Sequence, residues 1–157
     1  QPNSLSDFTV LLGKAEVLRV GEDITVVSYG STLRLVEKAA IELEKLNINI
    51  EIIDLQTLIP FDNDLIIKKS LKKTNKLFIV DEDLPGGASS YILQKVIEDQ
   101  NAFEFLDSKP ITLTSKAHRP AYGSDGDYFS KPSVDDIIEK ANYIMNEYDP
   151  ENYPEIF

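Results

Sequence analysis

Three consecutive carboxylates, Asp81, Glu82 and Asp83, close a short apolar run from Leu77 to Val80, and Pro85, Gly86 and Gly87 follow at once. Adjacent carboxyl groups can divide acid and base duty when burial drives their pKa values apart. Glu82 and Asp83 are the pair to consider. The alternative is that they accept backbone N–H bonds within the turn or meet a neighbouring subunit, and this is the reading expected here. One of the two glycines is expected at positive φ, and both would allow close approach of a backbone. Glu82, Asp83, Gly86 and Gly87 are therefore the candidate subunit-contact residues, with no catalytic, cofactor-binding or metal-ligating residue assigned.

Other residues carry weaker chemistry. Asp54 ends an apolar segment, as the phosphoacceptor of a receiver-like module does, and Lys116 could supply that module's lysine. The earlier apolar segment, however, ends in Ser28-Tyr29, with no carboxylate to hold magnesium. Gly30-Ser31-Thr32 could present N–H groups to an anion, but it lacks any Gly-x-Gly-x-x-Gly or Gly-Lys-Ser/Thr pattern. His118 is the only histidine, which leaves a histidine metal site or charge relay without partners. Asp125-Gly126-Asp127 is a fragment of a calcium-loop pattern without its spaced Glu. Tyr122, Tyr128 and Phe129 mark the surrounding loop as one that packs, on the domain itself or on a partner. Glu98, Asp99, Glu104 and Asp107 cluster around an acidic, aromatic connector from Asn101 to Lys109.

The elements that must position these residues follow from periodicity. Residues 1–12 read as a linker that begins to pair near Phe8 and Val10. Ala15 to Val20 is a short strand, turned back by Gly21-Glu22-Asp23 to lie antiparallel to the next. Ile24 to Ser28 reads as a strand buried on both faces. Ser31 or Thr32 then caps a helix whose stripe is Leu33, Val36, Ala40, Leu43 and Leu46. Ile48 to Asp54 is the next strand, and Asp62 is the expected cap of a helix over residues 63–73. Leu77 to Val80, the acidic turn and a helix with stripe Ala88, Ile92, Val96 and Ile97 follow. Ile111 to Thr114 is the last core strand, and residues 118–131 read as a long loop. Ser133, with Asp136 three residues on, opens a final helix carrying Val134, Ile137, Ile138, Ala141, Ile144 and Met145. This alternation predicts an α/β, three-layer α/β/α domain around an approximately five-stranded, mostly parallel sheet with an antiparallel edge strand. The domain is expected over 13–148, with an irregular tail at 149–157.

The chain has 157 residues, 42% of them hydrophobic, which suits one domain with a sizeable core. Its net charge of -11 argues against nucleic acid as a partner; an acidic surface usually serves solubility and can also dock a basic partner domain. With no cysteine, disulfides and thiolate chemistry are excluded. No apolar run is long enough to span a membrane. The start, Gln1-Pro2-Asn3-Ser4, has no initiator methionine and reads as a cut from a longer chain.

Four segments in order carry a family resemblance. They are Leu12-Gly13-Lys14-Ala15-Glu16-Val17-Leu18-Arg19, the run Gly21 to Gly30, the run Glu51 to Asp62 with its proline loop, and Asp81-Glu82 followed by Gly86-Gly87. Together they resemble the C-terminal domain of transketolase-like thiamine diphosphate enzymes, most of all that of the beta subunit of 2-oxo acid dehydrogenases. The resemblance implies a domain that holds no cofactor itself, since thiamine diphosphate and magnesium lie between the other two domains of the complete enzyme. It implies assembly with the rest of the dehydrogenase chain or an alpha subunit, homo-oligomerisation, and docking of the lipoyl acyltransferase through its small basic domain. On that basis Glu98, Asp99, Glu104 and Asp107 are the partner-docking candidates, with the tail as a second location and a solvated acidic loop as the alternative reading. The family's Asp-x-Pro turn after the last strand is replaced here by Ala117-His118-Arg119-Pro120-Ala121-Tyr122, and the longer tail fits a chain with fused alpha and beta regions. The C-terminal domain of a transketolase or deoxyxylulose phosphate synthase, and a stand-alone receiver-like module, are the alternatives. Composition fits a bacterial cytoplasmic protein.

Overall fold

The computed structural model describes residues 9–119, 122–123 and 126–156. Five strands form one sheet: β1 (Glu16–Arg19), β2 (Ile24–Ser28), β3 (Ile50–Asp54), β4 (Leu77–Val80) and β5 (Ile111–Leu113). The spatial order is β1-β3-β2-β4-β5. Every neighbouring pair is parallel except β1 with β3. Among the described residues, five α-helices accompany the sheet: α1 (Leu33–Lys45), α2 (Ile66–Thr74), α3 (Ala88–Gln94), α4 (Gly126–Ser130) and α5 (Val134–Tyr148).

Successive strand side chains point to opposite faces, so an apolar strand feeds two cores at once. Ile24, Val26, Ile50, Ile52, Phe78 and Val80 pack under α1 and α5. Val27, Ile53, Leu77 and Ile79 pack on the other face, with Ile67 and Leu71 of α2 and Ile92 of α3. This is the three-layer arrangement that continuous apolar runs demand.

Several elements differ from the sequence expectation. β1 is the antiparallel edge strand, but its neighbour is β3 rather than β2. The turn after β1 crosses the start of β3: Glu22 and Asp23 both donate their backbone N–H to Asn49 O, at 3.1 and 3.0 Å. A Cβ on Gly21 would lie 2.3 Å from the Ile50 carbonyl carbon, so only glycine lets the chain pass there. Val10 stands outside any strand, and Phe8 lies outside the described residues. Neither Ser31 nor Thr32 caps α1 through its side chain; residues Gly30–Thr32 form a 3₁₀ turn instead. Asp62 does cap α2, from four residues before its start, with its carboxylate accepting from Ile66 N at 2.9 Å and Ile67 N at 3.0 Å. The intervening Leu65 adopts φ 56°, which is why the helix begins at Ile66.

α3 passes into a π-helical turn at Lys95–Asp99. β5 is a half-buried edge rather than a core strand. α4 occupies part of the expected long loop. The capping box at α5 forms as the spacing predicts, with Ser133 and Asp136 bonding each other's backbone N–H. The tail has no regular element but is tied to α5: Asn142 Nδ2 donates to Pro154 O at 3.3 Å and Asn146 Nδ2 to Tyr153 O at 2.8 Å.

Candidate contact site at the carboxyl edge of the sheet

β4 delivers Asp81 to the carboxyl edge, between the ends of β2 and β5. Asp81 is fully buried, and its carboxylate accepts three hydrogen bonds. Oδ1 accepts from Tyr29 Oη at 2.8 Å and Asp83 N at 3.1 Å, while Oδ2 accepts from Ser89 N at 2.8 Å. One carboxylate thus closes the turn, caps α3 and fixes the tyrosine that follows β2. Burial, and then the bond to Asp81 and the charges of Asp81, Asp83 and Glu82, hold the Tyr29 phenol well above its ordinary pKa, so it stays a neutral donor. Ser28 Oγ donates to Val80 O at 2.8 Å and ties the same two strand ends.

The two acids beyond Asp81 are exposed. Glu82 Oε2 meets Ser31 Oγ at 3.2 Å and Lys131 Nζ at 3.3 Å. Asp83 Oδ1 accepts from Leu84 N at 2.8 Å, and Asp83 O accepts from Ser115 N at 3.0 Å. Gly86 has φ +90° with open space where a Cβ would stand, whereas a Cβ on Gly87 would be 2.2 Å from Asp83 Oδ2. Close approach therefore belongs to Gly87 alone, and the left-handed backbone to Gly86. Glu82 and Asp83 are each engaged in different bonds and do not face one another as an acid and base pair.

The docking candidates occupy a second patch, around the end of α3. Glu98 accepts from Gln94 Nε2 at 3.1 Å, and Asp99 pairs with Lys95. Asp107 is bound to Lys76 at 2.8 Å, and that lysine side chain is only 6% exposed. Asp107 is thus the counter-ion of a buried ammonium. Beside Glu98, the residues Leu93, Gln94, Ile97, Phe103 and Pro110 line a largely apolar groove of about 370 Å³. Phe103 is 67% exposed there, and Glu104 is its neighbour on an exposed 3₁₀ turn.

Asp54 and Lys116 are not brought together, because β2 and β4 separate the strands that precede them. Asp54 Oδ1 accepts from Gln56 N at 2.9 Å, and burial, with the nearby Glu16 charge adding, raises its pKa. Asp125 and the Asp127 side chain lie outside the described residues. Sequence reasoning missed Tyr29 and the buried Asp62–Gln100 contact at 3.0 Å. Neither leaves a local sequence signal, since both depend on which strands become neighbours.

The complete thiamine enzymes require a diphosphate and a magnesium ion. The donor set here does not fit that group: Asp81 is fully buried and holds the turn together, and Glu82 and Asp83 are bound as above. Among the described residues, no cluster of three or more His, Cys, Asp and Glu is placed to hold a metal ion. No helix among them is long and apolar enough to cross a membrane.

Residues 13–132 match the family described as transketolase, C-terminal domain. The chain is 36% identical over 141 residues to pyruvate dehydrogenase E1 component subunit beta of Rhizobium meliloti (strain 1021), covering 89% of this chain and 30% of that protein. It is also 36% identical over 140 residues to the subunit of the same name from Mesostigma viride, covering 89% and 42%. A mitochondrial 2-oxoisovalerate dehydrogenase subunit beta 2 from Arabidopsis thaliana is 40% identical over 93 residues, covering 59% and 26%. Among solved structures, a split gene transketolase in an inactive beta4 tetramer matches with a TM-score of 0.68 at 20% identity, covering 87% of this chain and 44% of that one, which establishes the shared fold. The chain spans less than half the length of these curated relatives.

Proposed function

The chain belongs to the transketolase C-terminal domain family, and from that premise we propose that it is the assembly and partner-docking domain of a thiamine diphosphate-dependent 2-oxo acid dehydrogenase. The complete enzyme decarboxylates pyruvate or a branched-chain 2-oxo acid and passes the acyl group to lipoamide. The observation that carries this reading is the match to dehydrogenase beta subunits along 89% of this chain but only 30% of the Rhizobium meliloti subunit. Residues 13–148 form the domain, and bond-breaking chemistry belongs to the parts of those enzymes outside the aligned region.

Two surfaces divide the work. The corner built by Glu82, Asp83, Gly86 and Gly87 is the contact to neighbouring dehydrogenase subunits, including a second copy. Its rigidity around Asp81 supports that role, because a pre-organised surface loses little freedom on association. The groove at Phe103, rimmed by Glu98 with Glu104 and Asp99 nearby, takes the small basic domain of the lipoyl acyltransferase. An exposed aromatic anchor beside acidic side chains, on a chain of net charge -11, supports it. The cysteine-free, Lys-, Ile- and Asn-rich composition supports a bacterial cytoplasmic setting.

Calorimetric titration of the purified chain with thiamine diphosphate and Mg²⁺ tests the division of labour. The expected result is no saturable heat. Stoichiometric binding would place a cofactor site on this chain and overturn the reading.

A further inference from the structure

Beside the acidic corner, at the carboxyl ends of β4 and β5, a cleft of about 550 Å³ is lined by Glu82, Asp83, Ser115, Lys116, His118 and Arg119, together with Ser130 and Lys131. Both carboxylates are already answered within the protein, Glu82 by Lys131 and Asp83 by the Leu84 N–H. The cations on the Lys116–Arg119 segment are held differently. Lys116 Nζ rests 3.9 Å from the Phe129 ring centroid, and the His118 ring lies 5.6 Å from the same centroid. Phe129 thus gathers an ammonium and an imidazole without neutralising either. His118 Nδ1 donates to Arg119 O at 2.8 Å, which leaves Nε2 as the ring nitrogen available to another group. The Arg119 guanidinium lies over the Tyr122 ring and donates to its hydroxyl, so its partner is again uncharged.

An independent observation comes from Ser130. This residue is 4% exposed and lines the cleft, yet among the described residues its hydroxyl has no hydrogen-bond partner. Its own carbonyl receives Lys116 N at 2.9 Å, which fixes the serine beside the lysine. Buried hydroxyls are rarely left unpaired, because the lost solvation is uncompensated. Ligand oxygens would supply the missing acceptor and, at the same time, the negative charge that Lys116 and Arg119 lack among the described residues. A concave site at the carboxyl ends of parallel strands is where α/β sheets bind ligands.

We propose that this cleft binds a small oxyanion, the phosphoryl or carboxylate group of a small molecule, through Ser130 Oγ, Lys116 Nζ and the Arg119 guanidinium, with His118 beside it. The cleft shares Glu82 and Asp83 with the proposed subunit-contact corner, but neither that corner nor the Phe103 groove supplies a donor to the oxyanion.

Because His118 is the only histidine, its ring resonances report on this cleft alone. The purified chain is titrated with inorganic phosphate, and separately with acetate, at fixed pH and at ionic strength held constant with chloride. A saturable shift of the His118 resonances is expected. Lys116→Gln should weaken binding about tenfold, the worth of one charge-assisted hydrogen bond, and Arg119→Gln should weaken it similarly. Ser130→Ala should weaken binding while raising the melting temperature of the ligand-free protein, because it removes an unpaired buried hydroxyl; this second readout also verifies folding. Saturation by phosphate alone identifies a phosphoryl site, and saturation by acetate identifies a carboxylate site; both support the proposal. A linear shift with both anions, no shift, or a saturable shift that Lys116→Gln and Ser130→Ala leave unchanged overturns it.

Discussion

Acidic residues in this chain do different work according to where the fold leaves them. Asp81 is a construction element, and Glu82 and Asp83 are the exposed acids it supports. Asp107 looks like its acidic neighbours in the sequence but serves the buried Lys76 ammonium, which also lies 3.8 Å from the Tyr148 ring centroid. Asp107→Asn leaves that ammonium without its charge partner and should cost about 2–3 kcal/mol, measured by urea unfolding; Glu104→Gln should be nearly neutral in the same assay. Equal effects would contradict the assignment. Asp54 gives a pH signature. Its folded pKa is raised from 3.8, chiefly by burial, so the native state holds the proton more tightly than the unfolded chain. Stability attributable to this group is therefore present at low pH and lost as pH rises through the raised value. Asp54→Asn keeps the acceptor for Gln56 N and removes that loss. Melting curves from pH 3 to 7, taken as an approximate range around the carboxylate values, should show the variant gaining on the parent as pH rises. A pH-independent difference would contradict the account.

At the scale of elements, local pattern and long-range placement separate cleanly. The helix over Leu33–Lys45, the buried strand Ile24–Ser28 and the Ser133 capping box were legible because periodicity and capping chemistry are written within a few neighbouring residues. The partner of β1 was not legible. A tight turn suggests a hairpin, but Gly21 carries the chain across the start of β3 instead, and that crossing depends on a backbone contact some thirty residues away. The short α4 was missed because Gly, Asp and Tyr give no helical stripe. The acidic corner was visible as a turn, while its internal bonding through Tyr29 and Ser89 required the strand order. Gly21→Ala tests the crossing directly: the new methyl would meet Ile50 and Glu51 backbone at 2.3–2.5 Å, with no flexible side chain to yield. The expected cost is about 3 kcal/mol, the upper range for overpacking, with faster hydrogen exchange in β1. A cost below about 1 kcal/mol would show that the sheet tolerates a wider crossing.

For the molecule as a whole, a sheet filled on both faces supports the surface proposed above for contact. The chain carries a net charge of -11, and the Phe103 groove offers an apolar centre beside Glu98. Such an interface should associate quickly and weaken with salt, because its charged rim steers and its aromatic anchor holds. The measurement that bears most directly on this account is the binding of a lipoyl acyltransferase's small basic domain to this chain, followed by calorimetry at increasing salt. One-site binding that falls steeply with salt, and is lost with Phe103→Ala while the fold is retained, is the predicted result. Absence of binding at low salt, or binding indifferent to both salt and Phe103→Ala, would contradict the account.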